Sequence, residues 1–143
     1  KWFKLIELII SKQRNGPIGS IKLKFDDSVI CYFTDNEINP PYPKSIEFDE
    51  LVEQCRNADI LIHDAQYIEE DMPQKHGWGH SLISQVTELG QSAGVKNLVY
   101  YHHDPERSDD ELDAQLEKVS GIIKENGSTV MPYFAREGLQ LVV

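Results

Sequence analysis

The sequence predicts a layered α/β domain built on a mixed sheet with helices packed against it. Three observations carry that prediction. Short apolar runs of strand length recur through the middle of the chain: "VICYFTD" (29–35), "DILIHDA" (59–65) and "VKNLVYY" (95–101). Segments with apolar residues at helical spacing alternate with them. Hairpin-like patterns stand at both ends, where "IKLKF" (21–25) leads into "VICYFTD" and "TVMPYF" (129–134) into "LQLVV" (139–143).

Each element follows from its residues. "IKLKF" alternates apolar and charged side chains, as a half-exposed strand does, and Asp26, Asp27 and Ser28 supply a turn. "VICYFTD" is apolar on both faces, which predicts a buried strand. "NEINPPYPKS" (36–45) is a proline-rich loop. "FDELVEQCRN" (48–57) then spaces Leu51, Val52 and Cys55 at helical intervals, and "DILIHDA" is a short buried strand entered directly from that helix. Ser81 is placed to cap a helix whose apolar positions are Leu82, Ile83, Val86, Leu89 and Ala93, with Gly94 ending it. "VKNLVYY" follows as a strand. Ser108 and Glu111 form a capping box for the next helix, whose stripe is Leu112, Leu116, Val119 and Ile123 and whose stop is Gly127. "TVMPYF" and "LQLVV" close the chain as strands.

Composition narrows the function. With 143 residues and 40% hydrophobic content, residues 1–143 suffice for a single domain with its own core. Lys and Arg number 14 against 24 Asp and Glu, a net charge of −10. Such a surface repels phosphate backbones, and no basic cluster offsets it, so nucleic acid is not an expected partner. Cys31 and Cys55 read as reduced core cysteines of a cytoplasmic protein. "LIELII" (5–10) is short and interrupted by Glu7, so no membrane span is predicted, and no signal peptide is visible.

In open α/β layers, functional groups gather at the C-terminal ends of strands and in the loops beyond them. Asp35 ends "VICYFTD", Asp64 ends "DILIHD", and His102 and His103 end "LVYYHH". His80 lies in a glycine-rich loop just ahead of a helix. Carboxylates and imidazoles on neighbouring strand ends are the ligand types that hold Zn²⁺, Mn²⁺ or Fe. Plain structural readings stand beside this one. Asp35 serves equally as a turn residue, His63 as a hydrogen-bonded core histidine, and His76 as a solvated one. Trp78, between two glycines, is a lid or stacking surface, or else a packed aromatic at a helix entrance. Asp104, Asp109 and Asp110 suit helix caps.

Taken in order, "FTDNE", "ADILIHDAQY", "GWGHS" and "GVKNLVYYHHDPERSDDEL" resemble the C-terminal half of a metallo-β-lactamase-fold hydrolase. The branch is that of the cyclic-nucleotide phosphodiesterases and the tRNA 3′-processing endonucleases. The likeness spans residues 28–143 and rests on four ordered motifs. It implies half of an αββα sandwich, a mixed sheet flanked by helices. It also implies roles. Asp35 falls where an aspartate bridges two metal ions. His102 falls where a strand-end histidine binds metal, with His103 the fallback if the register is off by one. Asp64 and His80 fall where a carboxylate and a histidine work together. His80 would protonate the leaving oxygen and Asp64 would hold its tautomer. The implied cofactors are two divalent transition metal ions, zinc foremost and Mn or Fe as alternatives, supplying a water of lowered pKa.

The family's N-terminal "HxHxDH" loop does not occur in this chain, and Gly16 of "NGPIG" (15–19) stands where a further histidine would fall. Asp35 and His102 alone are two ligands. The chain is therefore expected to be the C-terminal part of a longer metallo-β-lactamase-like domain, a chain that has lost internal residues, or a metal-free relative. Half a sandwich would leave a wide apolar face, to be covered by the missing half or by a homo-oligomer. The expected function is metal-dependent hydrolysis of a small phosphodiester, a small-molecule substrate with no membrane involved. One alternative is a catalytically inactive ligand- or partner-binding module of the same fold. Another is a purely structural domain with incidental histidines.

Overall fold

Two strands of opposite direction open the sheet: Ser20–Phe25 (β1) pairs antiparallel with Ser28–Phe33 (β2), Ser20 lying opposite Phe33. The computed structural model describes residues 20–25 and 28–141, so the turn assigned to Asp26 and Asp27, like "NGPIG" with Gly16, lies outside the described residues. Ile60–Asp64 (β3), Asn97–Tyr101 (β4) and Met131–Phe134 (β5) follow, each parallel to its neighbour. The five strands stand in sequence order, β1-β2-β3-β4-β5, in one mixed sheet. The expected class, α/β with a mixed sheet flanked by helices, is the one observed.

Sequential parallel strands with right-handed crossovers put every connecting helix on one face of the sheet. Phe48–Cys55 (α1), Ile83–Ala93 (α2) and Asp109–Glu125 (α3) do share one core. Leu51, Val52 and Cys55 of α1, Val86 and Leu89 of α2, and Val119 and Ile123 of α3 meet Cys31, Phe33, Leu61, Leu98 and Tyr100 of the sheet. The opposite face carries Ile30, Ile60, Ile62 and Val99, each between 2% and 6% exposed, with Tyr32, Tyr101, Tyr133, Leu139 and Leu141 packed against them. Burial on both faces explains why these strands read as unbroken apolar runs. It also means that the middle of the second face, expected to lie open, is covered within the chain.

Two expectations about single elements need correction. Ser81 does not cap α2: the helix starts at Ile83, and the Gln85 side chain takes the Leu82 N–H instead, at 3.1 Å. "LQLVV" is not a strand over its described part. Gly138, at φ 79°, turns the chain so that Leu139 N bonds Arg136 O at 3.1 Å, and no ladder forms. Leu139 and Leu141 still pack on the second face, which accounts for their alternation. Elsewhere the signals hold. Ser108 and Glu111 form the reciprocal capping box of α3, and Gly94 ends α2 in the left-handed conformation at φ 63°. Among the described residues, no helix is long and apolar enough to cross a membrane.

Candidate active site

Register decides what meets at the sheet's C-terminal edge. Phe33 pairs with His63, His63 with Tyr100, and Asp64 with Tyr101, so β2, β3 and β4 finish level. Asp35, Asp64 and His102 therefore stand side by side. Asp35 and His102 both hold left-handed backbone, at φ 47° and 61°. Asp and His tolerate that region better than most side chains, at a cost of about 1–3 kcal/mol each that recurs at functional sites.

The side chains converge. His102 Nδ1 lies 3.0 Å from Asp35 Oδ1 and 3.7 Å from Asp64 Oδ1. His80, arriving from the loop before α2, donates from Nδ1 to Asp64 Oδ2 at 2.8 Å. Its ring stands edge-on to that of His102, centroids 4.7 Å apart, and edge-on to Tyr67 at 5.7 Å. One ligand atom each from Asp35, His80 and His102 lie within 4.8 Å of one another. Asp64 is fully buried and its Oδ1 makes no hydrogen bond among the described residues, while His102 Nδ1, 3.0 Å from Asp35 Oδ1, is too poorly aligned with it to form one. Two buried polar atoms without hydrogen bonds beside a carboxylate and two imidazoles are what a divalent transition metal would satisfy. The residues fit one such ion with open positions. A second ion would need ligands beyond this cluster.

Electrostatics sets the protonation of the pair. Burial pushes the Asp64 carboxyl up, against the pull of His80 and His102. Burial works against the charged form of His80, but the Asp64 bond, with the fields of Asp64, Asp35 and Glu37, outweighs it and raises the imidazole. With Nδ1–H engaged by Asp64, Nε2 of His80 is the nitrogen free to face a reacting group or an ion.

The residues around this cluster tie two distant motifs into one platform. Glu37, only 7% exposed, accepts Gly77 N–H at 2.8 Å on one carboxylate oxygen and Gly79 N–H at 2.9 Å on the other. Ser81 Oγ donates to Asn36 O at 2.5 Å and accepts from Ile38 N at 3.0 Å. The Asn36 side chain reaches His63 Nε2 at 3.1 Å, while His63 Nδ1 bonds Asp64 O at 2.7 Å and its ring stacks on Phe33. Both ring nitrogens are engaged, Nδ1 donating to the Asp64 carbonyl and Nε2 accepting from the Asn36 amide, so His63 is the hydrogen-bonded core histidine expected of it. Asn36, Glu37 and the stitching role of Ser81 escaped the sequence. A loop carboxylate beside prolines carries no signal of burial, and a serine before a helical stripe reads as a cap.

His103, the fallback ligand, turns from the cluster and stacks on Phe134 at 4.9 Å; burial, against the Ala135 backbone, lowers its pKa. Asp104 caps no helix. It pairs with Lys75 at 2.5 Å and takes the Glu106 N–H, while Arg107 pairs with Asp71, and these bonds anchor the 67–76 loop. His76 is exposed, with Nε2 donating to Asn39 O at 2.9 Å, and Trp78 is 64% exposed.

The fold thus defined, with its site at the shared strand edge, is the metallo-β-lactamase fold. The metallo-β-lactamase-fold protein YhfI of Bacillus subtilis superposes with a TM-score of 0.62 over 87% of this chain and 44% of its own, at 15% identity. Yeast PDE1 does so at 0.56 over 82% and 37%, at 18% identity. Within that class, the sequence likeness lies with Ribonuclease Z. That of Thermoplasma acidophilum is 36% identical over 61 residues, 43% of this chain and 20% of its own. That of Bacillus velezensis is 33% identical over 54 residues, 38% and 18%. The matched stretch thus spans a fifth or less of the length of these curated relatives. No family model matches the chain.

Proposed function

We propose that this chain carries the strand-edge half of a metal-dependent phosphodiester hydrolase active site. One observation supports it above the others: Asp35, His80 and His102 offer ligand atoms within 4.8 Å, beside a fully buried Asp64 bonded to His80 at 2.8 Å. Asp35 and His102 are the residues that would hold a divalent transition metal, zinc foremost and Mn or Fe next. Such an ion supplies a water of lowered pKa and a Lewis acid for the phosphorus.

His80 hands a proton from Nε2 to the leaving oxygen, a step typically worth about 10²–10⁴ in rate. Asp64 fixes its tautomer and, by raising its pKa, keeps that proton available near neutrality. The clustering of ligand atoms favours a second role for the same residue, in which His80 Nε2 is itself a ligand with Asp64 as its supporting carboxylate.

The substrate proposed is a small phosphodiester. A net charge of −10 gives a long polyanion no purchase. Against that stands the name of the matched relatives, a ribonuclease, which favours an RNA end and weakens the expectation that nucleic acid is excluded.

The test uses the full-length natural protein. Turnover of bis(p-nitrophenyl) phosphate should be abolished by a chelator and restored by Zn²⁺ or Mn²⁺. Metal analysis of His80→Ala then separates the two roles: retained metal with lost turnover of an alkyl ester supports the acid, and lost metal supports the ligand. A protein that binds no metal after reconstitution and turns over neither ester would be the inactive binding module instead.

A further inference from the structure

We propose that Trp78 is a stacking platform for a nucleobase of the substrate. The indole is 64% exposed, more than any other large hydrophobic side chain among the described residues. A ring left in water on a mobile loop would be unremarkable, but the backbone that carries this one is held on both sides. Gly77 and Gly79, its neighbours in the chain, sit at φ 87° and 93° and give both N–H groups to the buried Glu37 carboxylate. Pro41 packs so closely on Gly77 that a Cβ there would lie 3.0 Å from its Cγ. His76, one residue earlier, is tied to Asn39 O. The loop is therefore fixed by tertiary bonds while its largest side chain points to solvent. Fixed aromatic rings bind planar groups at low cost in conformational entropy.

Position and charge name the planar group. Only Gly79 stands between Trp78 and His80, so their Cα atoms lie within about 7 Å and the ring is carried on the same loop as His80. An acidic chain holds phosphate poorly by charge, so affinity for a nucleotide must come from elsewhere. Stacking is indifferent to charge and to base identity. Tyr42, 48% exposed, is next in the chain to Pro41, which packs on Gly77, and is a second exposed aromatic on the neighbouring loop. The inference deepens the proposed function, since a nucleobase next to a phosphodiester makes the substrate a nucleotide or an RNA end.

The test is calorimetric binding to the metal-loaded full chain, which needs no turnover. Adenosine 5′-monophosphate and ribose 5-phosphate share sugar and phosphate and differ only in the base. The nucleotide should bind more tightly; Trp78→Ala should shrink that advantage by about 5- to 150-fold, the range one stacked base supplies, and Trp78→Phe should keep most of it. A base advantage confined to a tetraadenylate, lost in Trp78→Ala, assigns the site to an RNA end; one already present with the mononucleotide assigns it to a free nucleotide. An unchanged ratio in Trp78→Ala, or equal loss in Trp78→Phe, overturns the proposal. A chain that shows the Trp78-dependent base advantage yet hydrolyses no phosphodiester would sink the catalytic reading and leave this one standing.

Discussion

Replacing Asp64 with Asn should separate catalysis from stability. The change removes a carboxylate that is fully buried, ends β3, and accepts the His80 Nδ1–H at 2.8 Å. An amide of the same shape can turn its NH₂ toward Nδ1, which would then accept, moving the imidazole proton to Nε2 without a charge to retain a second one. The His80 pKa falls back, because the Asp64 bond and field raise it, and the acid is lost near neutrality. The expected fall in kcat is about 10²–10⁴ for a substrate with an alkoxide leaving group. For bis(p-nitrophenyl) phosphate, whose phenolate departs without a proton, it should stay within about tenfold. Stability should move the other way. Burial disfavours the Asp64 charge, and Oδ1 has no partner to offset that, so a neutral isostere should leave the metal-free protein within about 1 kcal/mol of the parent or above it. The assay pairs steady-state rates on the two esters with urea midpoints under chelator. Equal losses on both substrates would refute proton delivery through His80, and a large drop in midpoint would recast Asp64 as structural.

Three further outcomes follow from the same geometry. The His63 pKa, lowered by burial from 6.5 to about 4, makes stability depend on pH: below 6.5 the unfolded chain takes a proton that the folded one refuses until about pH 4. Stability is thus full above 6.5 and falls by up to about 3 kcal/mol toward pH 4, and urea midpoints across that window should lose this slope in His63→Gln. Ser81→Ala strips partners from Asn36 O and Ile38 N and should cost about 1–3 kcal/mol; Ser81→Asp, acceptable at a helix cap, should be worse because it buries a further carboxylate, and chemical denaturation ranks the two. Zn²⁺ or Mn²⁺ at a hundredfold excess over its Kd should stabilise the chain by about 2.7 kcal/mol in thermal melts, an effect that Asp35→Ala or His102→Ala should abolish and His103→Ala should leave in place.

Legibility in the sequence tracked how local the cause was. Strands β2 to β4 were readable because burial on both faces leaves unbroken apolar runs, and α3 because Ser108 and Glu111 satisfy each other within one turn. The placement of Asp35, Asp64 and His102 at one edge followed from a general rule about parallel strands. That His80 reaches Asp64 came only from likeness to a family, since nothing in a 16-residue separation predicts it. Glu37 stayed hidden because its burial is created by two N–H groups 40 and 42 residues away. "LQLVV" misled because alternation reports which side chains are buried, and Leu139 and Leu141 are packed without pairing.

The hidden contacts bear directly on how the site holds its shape. Strand register alone fixes Asp64 and, one step beyond β4, His102. His80 has no such support, since it enters from a loop whose own conformation depends on two glycines at positive φ. What sets its distance from the metal-binding candidates is the segment immediately after Asp35: Asn36 and Ile38 hold Ser81, and Glu37 holds Gly77 and Gly79. Those bonds flank His80 on both sides, so its imidazole moves with the backbone of Asp35 rather than with the solvent-exposed loop around it. A proton donor must sit within a few tenths of an ångström of its working position to be effective. Tying the proposed donor to the neighbour of a metal-binding candidate by four short bonds would achieve this without a rigid element beneath it. The same bonds fix the backbone on either side of Trp78. His80, the proposed proton donor, and the loop that bears the exposed ring are thus carried by one clamp, and the buried carboxylate of Glu37 is its centre.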